Sequence, residues 1–321
     1  MKILFHTTSL NFRGTGVAVT DYARFNQEVL GNESVICWDA EIPYIQDITT
    51  EPEVVRKLEK NYNVIGHRGL EDLQAIIDRE KIDVTYFLRY GGKDFIPKNC
   101  RTAVHAIFQV CEPHGDRYAY ISEWLSNAMN AKHGTSIPHV PHMVNLPAPT
   151  DNYREILGIP ANDIVIGRMG AYGSFNLPFV KQAIIEILEE RKDYTFLFVG
   201  TYPWIEHPKV KYLNAFSGLQ TKSNLILTCD AMIHARINGE SFGLTIIEAL
   251  SMNKPILSWS GGEDQNHSLI LKDSGLLYNS GDDFKESLLN IREIKKYEDW
   301  TQRVKKFEPV PVMNKFREVF L

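Results

Sequence analysis

One stretch, Asn238–Leu257 (NGESFGLTIIEALSMNKPIL), limits what this chain can fold into more than any other. It opens on Asn-Gly, a turn signal, and passes through Glu240-Ser241-Phe242-Gly243-Leu244-Thr245. It then becomes an apolar-periodic helix carrying Leu244, Ile246, Ile247 and Leu250. Pro255 stops the helix and a strand follows. A loop running into a helix leaves the first backbone N–H groups unpaired at the positive end of the helix dipole, where an anion, most naturally a phosphate, is stabilised. Glu240 precedes the helix and Glu248 lies two turns inside it, so both carboxylates are expected to face one cleft at different depths. Carboxylates repel phosphate and accept hydrogen bonds from hydroxyls. The ligand that suits both is a diphosphate with polyols at its two ends, a sugar nucleotide. The plainer reading is a surface helix with two solvated glutamates.

The rest of the chain repeats strand, turn and helix. Lys2–Leu10 reads as a first strand rather than a signal peptide, and a Gly14/Gly16 turn and a helix ending near Gly31 follow. Strands near Ser34–Asp39, Val64, Val84–Leu88 and Ala103–Phe108 alternate with helices near Pro52–Tyr62 and Leu70–Lys81. The proline-bearing segment Asn145–Asp151 reads as a linker. A second alternation follows it: strands at Ile164–Arg168, Thr195–Gly200, near Leu225, near Met232, at Pro255–Ser258 and at Leu276–Tyr278. Helices are expected near Leu177–Glu190, over Asp282–Ile294 and over Trp300–Phe307. This predicts an α/β protein of two Rossmann-like domains with mostly parallel sheets. The boundaries are 1–146 and 147–300, with a C-terminal helix in 301–321 expected to pack back on the first domain.

At 321 residues the chain suits two domains of ~150 residues each. A net charge of −5 gives nucleic acid no electrostatic footing. No apolar run reaches the ~20 residues that span a bilayer, though peripheral membrane contact stays open. Cys37, Cys100, Cys111 and Cys229 lack metal-ligand spacing and read as reduced thiols in a cytoplasmic protein. No metal site is expected, since His139 and His142 have no further ligand at suitable spacing.

The block Glu240-Ser-Phe-Gly-Leu, the seven residues separating Glu240 from Glu248, Glu248-Ala-Leu-Ser and Lys254-Pro-Ile-Leu257 together resemble the donor-site signature of family 4-type retaining glycosyltransferases. That resemblance implies the GT-B arrangement, two Rossmann-like domains facing across a cleft. It implies transfer with retention from a UDP- or GDP-linked sugar, with no cofactor beyond that substrate, to a carbohydrate, lipid-linked or small-molecule acceptor; the lack of an Asp-x-Asp motif agrees with metal-independent transfer. Glu248 would bind the ribose and Glu240 the sugar hydroxyls. The backbone from Ser241 to Thr245 would hold the diphosphate, with Arg168 neutralising it and His105 beside the reacting carbon. Gly14 and Gly16 resemble the family's glycine loop, although a simple tight turn explains them equally.

The family usually places a lysine five or six residues after its arginine, and here those positions are Gly173 and Ser174. Arg236 is the expected replacement, with Arg13 and Lys181 behind it; a salt bridge to Glu240 is the plain alternative for Arg236. His114 and Asp116, in the polar loop Cys111–Asp116, are candidate acceptor-side residues, and His114 rivals His105. Either histidine is otherwise a satisfied core or turn residue. Two other functions fit the same signature: a nucleotide-sugar epimerase of this fold, or a catalytically weak nucleotide-sugar-binding subunit.

Overall fold

The computed structural model describes residues 1–11, 14–41, 49–215, 218–294 and 299–321. Arg13 therefore lies outside the described residues. The chain divides into two compact units, Met1–Met143 with Phe307–Leu321, and Val144–Lys306.

In unit 1 the order is β1 (Lys2–Thr7), α1 (Gly14–Glu28), β2 (Glu33–Asp39), α2 (Pro52–Leu58), β3 (Asn63–His67) and α3 (Gly69–Glu80). Then come β4 (Val84–Arg89), β5 (Arg101–Ala106), β6 (Arg117–Tyr120) and α4 (Glu123–His133). The six strands form one parallel sheet in the order β3-β2-β1-β4-β5-β6. The strand order reverses between β1 and β4. That switch point, outside the carboxyl ends of the strands, is where open α/β sheets bind ligands. Helices cover both faces of such a sheet, so its strands are apolar throughout. Val84–Leu88 of β4 accordingly shows no exposed position.

Unit 2 contains β7 (Ile164–Met169), α5 (Pro178–Glu190), β8 (Tyr194–Val199), β9 (Val210–Leu213), α6 (Leu219–Thr228) and β10 (Ala231–His234). It continues with β11 (Gly239–Glu240), α7 (Leu244–Ser251), β12 (Ile256–Trp259), β13 (Asp264–Gln265) and α8 (Asn266–Ile270). It closes with β14 (Leu277–Tyr278), α9 (Gly281–Leu289), α10 (Ile291–Ile294) and a 3-10 turn at Trp300–Arg303. Its six-stranded parallel sheet runs β14-β12-β10-β7-β8-β9, the same winding as unit 1, with its switch point between β7 and β10. The short pair β11–β13 stands apart from it.

Three expectations change. Leu225 belongs to α6, not to a strand; the run Leu225-Ile226-Leu227 is too short for its apolarity to separate strand from helix. The third strand of unit 2 is instead the half-polar edge strand β9. Asp282–Ile294 is broken at Asn290, and Trp300–Phe307 forms short 3-10 turns rather than a helix.

The chain ends in α11 (Pro309–Phe320), which belongs to unit 1. It buries Val312, Met313, Phe316 and Phe320. The Phe316 ring lies 5.2 Å from that of Tyr86 and 5.3 Å from that of Tyr22, and Phe320 lies 5.2 Å from the His105 ring. No helix among the described residues is long and apolar enough to cross a membrane.

Candidate active site

In unit 2 the chain leaves β10 at His234, beside the switch point, and turns through Arg236 and Asn238 into Glu240. Gly239 has φ +72, and a Cβ there would collide with the Asp264 carbonyl oxygen of β13. Gly243, at φ +92, is the N-cap of α7, and no side chain caps the helix. A residue with a Cβ is strained at such φ. The first amides of α7, at Leu244 and Thr245, are thus left for a ligand. Behind them Ile246, Ile247 and Leu250 are fully buried and anchor the helix, and buried Asn266 donates to the Phe242 carbonyl at 2.7 Å, fixing the loop.

Glu240 is held from three sides. His234 Nε2 lies 3.2 Å from Oε1, Arg236 Nη1 donates to Oε2 at 3.2 Å, and the Glu240 amide donates to His267 Nδ1 at 3.2 Å. The Trp259 carbonyl can only accept, so His267 Nε2, 2.8 Å away, carries that ring's proton. Burial pushes the Glu240 carboxyl up, but the His234 hydrogen bond and the neighbouring cations outweigh it and hold its pKa below the ordinary value. A carboxylate has about four lone-pair sites, so Glu240 keeps acceptor capacity for sugar hydroxyls. Arg236 does pair with Glu240, yet remains substantially exposed.

Glu248 lies on α7 with its side chain only 8% exposed, and Lys222 Nζ of α6 binds its Oε1 at 2.6 Å. One oxygen of Glu248 therefore already faces a cation. Lys222, His234 and His267 escaped the sequence reading. His234 alone had a local signal, standing two residues before Arg236; the others converge through the fold.

Two expected participants are placed elsewhere. Arg168 is buried, and its guanidinium is committed to protein oxygens. Nη1 donates to the Gly200 carbonyl and Thr201 Oγ1, each at 2.8 Å, and Nη2 to the Ala171 carbonyl at 3.0 Å and Ser174 Oγ at 2.5 Å. It ties together the loops after β7 and β8 instead of presenting free N–H groups to a diphosphate. Burial lowers its pKa to about 10. Ser174, where the family usually has lysine, is one of its acceptors. Lys181 lies over the Trp204 ring, 5.6 Å from its centre.

His105 is fully buried in unit 1. Its Nε2 donates to the Val140 carbonyl at 2.8 Å and its Nδ1 accepts from the Tyr86 hydroxyl at 2.6 Å. With both nitrogens satisfied it is a core histidine, not a group beside a reacting carbon. Asp116 is also corrected. Its carboxylate and amide pair with the backbone of Thr102, at the amino end of β5 and away from the ligand-binding strand ends. His114 Nδ1 donates to the Glu112 carbonyl at 2.7 Å, and its Nε2 lies 3.3 Å from Asp94. Gly14 begins α1 and is exposed, while Gly16 is buried where a Cβ would strike the Asn11 backbone, so close packing of α1 accounts for it. Among the described residues no group of three or more His, Cys, Asp or Glu is arranged to hold a metal ion.

With this geometry in place, comparison with known proteins decides the class of unit 2. Residues 163–293 match the family model for glycosyl transferases group 1. This segment is therefore similar to a group 1 glycosyltransferase domain. No curated protein matches the chain. Among solved structures, Anabaena HepE in complex with UDP and glucose superposes with a TM-score of 0.74 at 14% identity, covering 99% of this chain and 98% of that one. A glycosyltransferase from Rickettsia africae gives 0.68 at 14%, covering 99% and 97%. A putative UDP-N-acetylglucosamine 2-epimerase from Listeria monocytogenes gives 0.58 at 10%, covering 98% and 94%. At these identities the likeness establishes the fold, GT-B.

Proposed function

We propose that this protein is a glycosyltransferase that moves a sugar, with retention at the anomeric carbon, from a UDP- or GDP-linked donor held by unit 2. The observation that carries this reading is the uncapped start of α7 between a pinned Glu240 and a buried Glu248. The Leu244 and Thr245 amides bind the diphosphate and Arg236 adds charge to it. Glu240 accepts hydrogen bonds from the sugar hydroxyls, and the free oxygen of Glu248 accepts from the ribose. The bond from the anomeric carbon to the diphosphate breaks, and the acceptor hydroxyl oxygen bonds to that carbon from the same face. Its proton passes to the departing nucleoside diphosphate. Charge developing on a leaving diphosphate is met by preorganised amides and a guanidinium; transfer is therefore proposed to run without a metal and to persist in chelator.

The acceptor is proposed to be a carbohydrate or a lipid-linked sugar. All four cysteines are free thiols, which supports a reducing, cytoplasmic setting.

The test is thermal unfolding with a panel of UDP- and GDP-sugars. The true donor raises the midpoint by binding the folded state, and Glu248→Ala removes the rise. A panel in which no nucleotide sugar raises the midpoint refutes the reading. Incubating that donor alone and with sugar acceptors then separates transfer from epimerisation, and proton NMR of the product reads its anomeric configuration.

A further inference from the structure

Glu240 ends two hydrogen-bond chains that both begin on β12. Strands β10 and β12 pair in a register that sets His234 against Ser258. Ser258 is fully buried, and its Oγ lies 2.8 Å from His234 Nδ1. The other nitrogen of that ring, Nε2, lies 3.2 Å from Glu240 Oε1. One residue further along β12, the Trp259 carbonyl is 2.8 Å from His267 Nε2. The other nitrogen of this second ring, Nδ1, accepts from the Glu240 amide at 3.2 Å. Each histidine therefore spans from β12 to Glu240, one reaching the carboxylate and the other the main chain.

The end groups fix where the protons lie. A carboxylate only accepts, so His234 Nε2 carries a hydrogen; in the neutral ring Nδ1 then has a lone pair, which Ser258 meets as donor. The Ser258 hydroxyl has another acceptor in reach, the Trp259 carbonyl at 3.5 Å. That contact is too long for a good hydrogen bond, and the same carbonyl already receives His267 Nε2–H, so the bond to His234 Nδ1 prevails. His267 has the same tautomer, because its carbonyl partner needs a proton and its amide partner needs a lone pair. With the hydrogen moved to Nδ1, His234 would turn a lone pair on the carboxylate and His267 an N–H on the Glu240 N–H.

The rings are themselves held in place. The Tyr278 hydroxyl donates to the His234 carbonyl at 2.7 Å. His267 is fully buried, with its ring 5.3 Å from that of His234. A glutamate on a loop samples several rotamers; a donor at Oε1 and an acceptor at the amide narrow that choice for Glu240.

We propose that Ser258 is a positioning residue for Glu240, acting through His234, while His267 positions the Glu240 main chain from the other side. Ser258 itself touches no substrate. Its hydroxyl keeps His234 Nε2–H aimed at Oε1, which turns the remaining lone pairs of Glu240 to the sugar of the donor. The contact with sugar rests on the function proposed above, whereas the placement of the protons does not. Because the diphosphate and ribose lie on α7, loss of the Ser258 hydroxyl is felt by the sugar and not by the nucleotide.

The test compares the full chain with Ser258→Ala, which deletes one oxygen. Histidine proton–nitrogen correlation spectra without ligand are expected to show the hydrogen on Nε2 of both His234 and His267. In Ser258→Ala the His234 Nδ1 signal is expected to move toward that of a free lone pair, with His267 unmoved. UDP, GDP, UDP-glucose, UDP-N-acetylglucosamine and GDP-mannose are then titrated calorimetrically. Ser258→Ala is expected to bind the bare diphosphates as the parent does, and the preferred nucleotide sugar about fivefold more weakly, the scale of one neutral hydrogen bond. In a His234→Leu background the same change is expected to add nothing, since the connecting ring is gone. Positioning by Ser258 is refuted by a parent His234 with its hydrogen on Nδ1, or by a His234 signal that ignores Ser258→Ala. It is refuted equally by unchanged nucleotide-sugar affinity, by an equal loss for bare UDP, or by the same loss without His234. If no nucleotide sugar binds, the proposed function fails and the spectra alone decide the role of Ser258. Transfer by a protein whose His234 signal does not respond to Ser258→Ala leaves that function standing and removes Ser258 from it.

Discussion

The two units wind their strands in the same order yet place their histidines differently. Unit 1 encloses His105 and His142 in its aromatic core, where His105 packs against Tyr22, Tyr86 and Phe320. Unit 2 sets His234 and His267 around a carboxylate. The same side chain serves packing in one unit and the orientation of a charged group in the other. Shared topology fixes where a ligand site lies, at the β1/β4 and β7/β10 switch points, but not the chemistry placed there.

Acid gives the largest expected difference between the units. Burial holds His142 down at about 3 and His267 at about 4, in each case below the ordinary 6.5. Burial also holds His6 and His105 well below it. The unfolded chain therefore binds more protons than the folded one as pH falls below 6.5, and stability falls with it. At pH 5 this is about 2 kcal/mol for His142 and a similar amount for His267. His6 and His105 add to the loss in unit 1, whereas carboxylates such as Glu240 titrate lower. Hydrogen exchange from pH 7 to pH 5 should show strands β1, β4 and β5 losing protection before β7, β8 and β10. Loss in the opposite order would break the contrast.

Arg168→Met sharpens the contrast from the side of unit 2. It leaves several buried oxygens without a donor, and each such group costs about 1–3 kcal/mol. A loss of roughly 3 kcal/mol in urea unfolding is expected, with donor affinity impaired through the loops. A variant as stable as the parent would return Arg168 to direct ligand contact. Glu240→Gln keeps the shape but loses the charge that orients His234 and Arg236. Transfer is expected to fall on the order of a hundredfold, the scale of one lost transition-state contact, with unfolding little changed.

How much of this was legible beforehand depends on whether an atom's role is local. The α/β winding and the start of α7 could be read because turn residues, glycines with positive φ and apolar spacing act within a few positions. Leu225 misled because a three-residue apolar run fits a strand or a helix, and β9 was missed because Val210-Lys211-Tyr212-Leu213 is an edge strand with one buried position. Depth left no trace at all: neither the burial of His105 nor the commitment of Arg168 to loop carbonyls is written in the residues beside them. Lys222 meets Glu248 from 26 positions away, a pairing that only the packing of α6 beside α7 creates.

The smallest effect expected is also the most discriminating. Arg236 is 40% exposed, and its contact with Glu240 is a 3.2 Å pair within one loop. Exposed pairs contribute at most about 1 kcal/mol to stability, so Arg236→Ala should unfold like the parent. If Arg236 adds charge at the donor diphosphate, the variant should raise the donor KM about tenfold, the scale of one partly solvated charge contact at ~1.4 kcal/mol. Raising ionic strength should shrink the difference between parent and variant, because an exposed charge is screened. Arg236→Lys should recover part of the affinity, since a point charge still attracts a diphosphate without the planar fork. If Arg236→Ala matches the parent in KM and kcat at low salt, Arg236 only braces Glu240. The positive field at this site would then fall to the α7 amides alone.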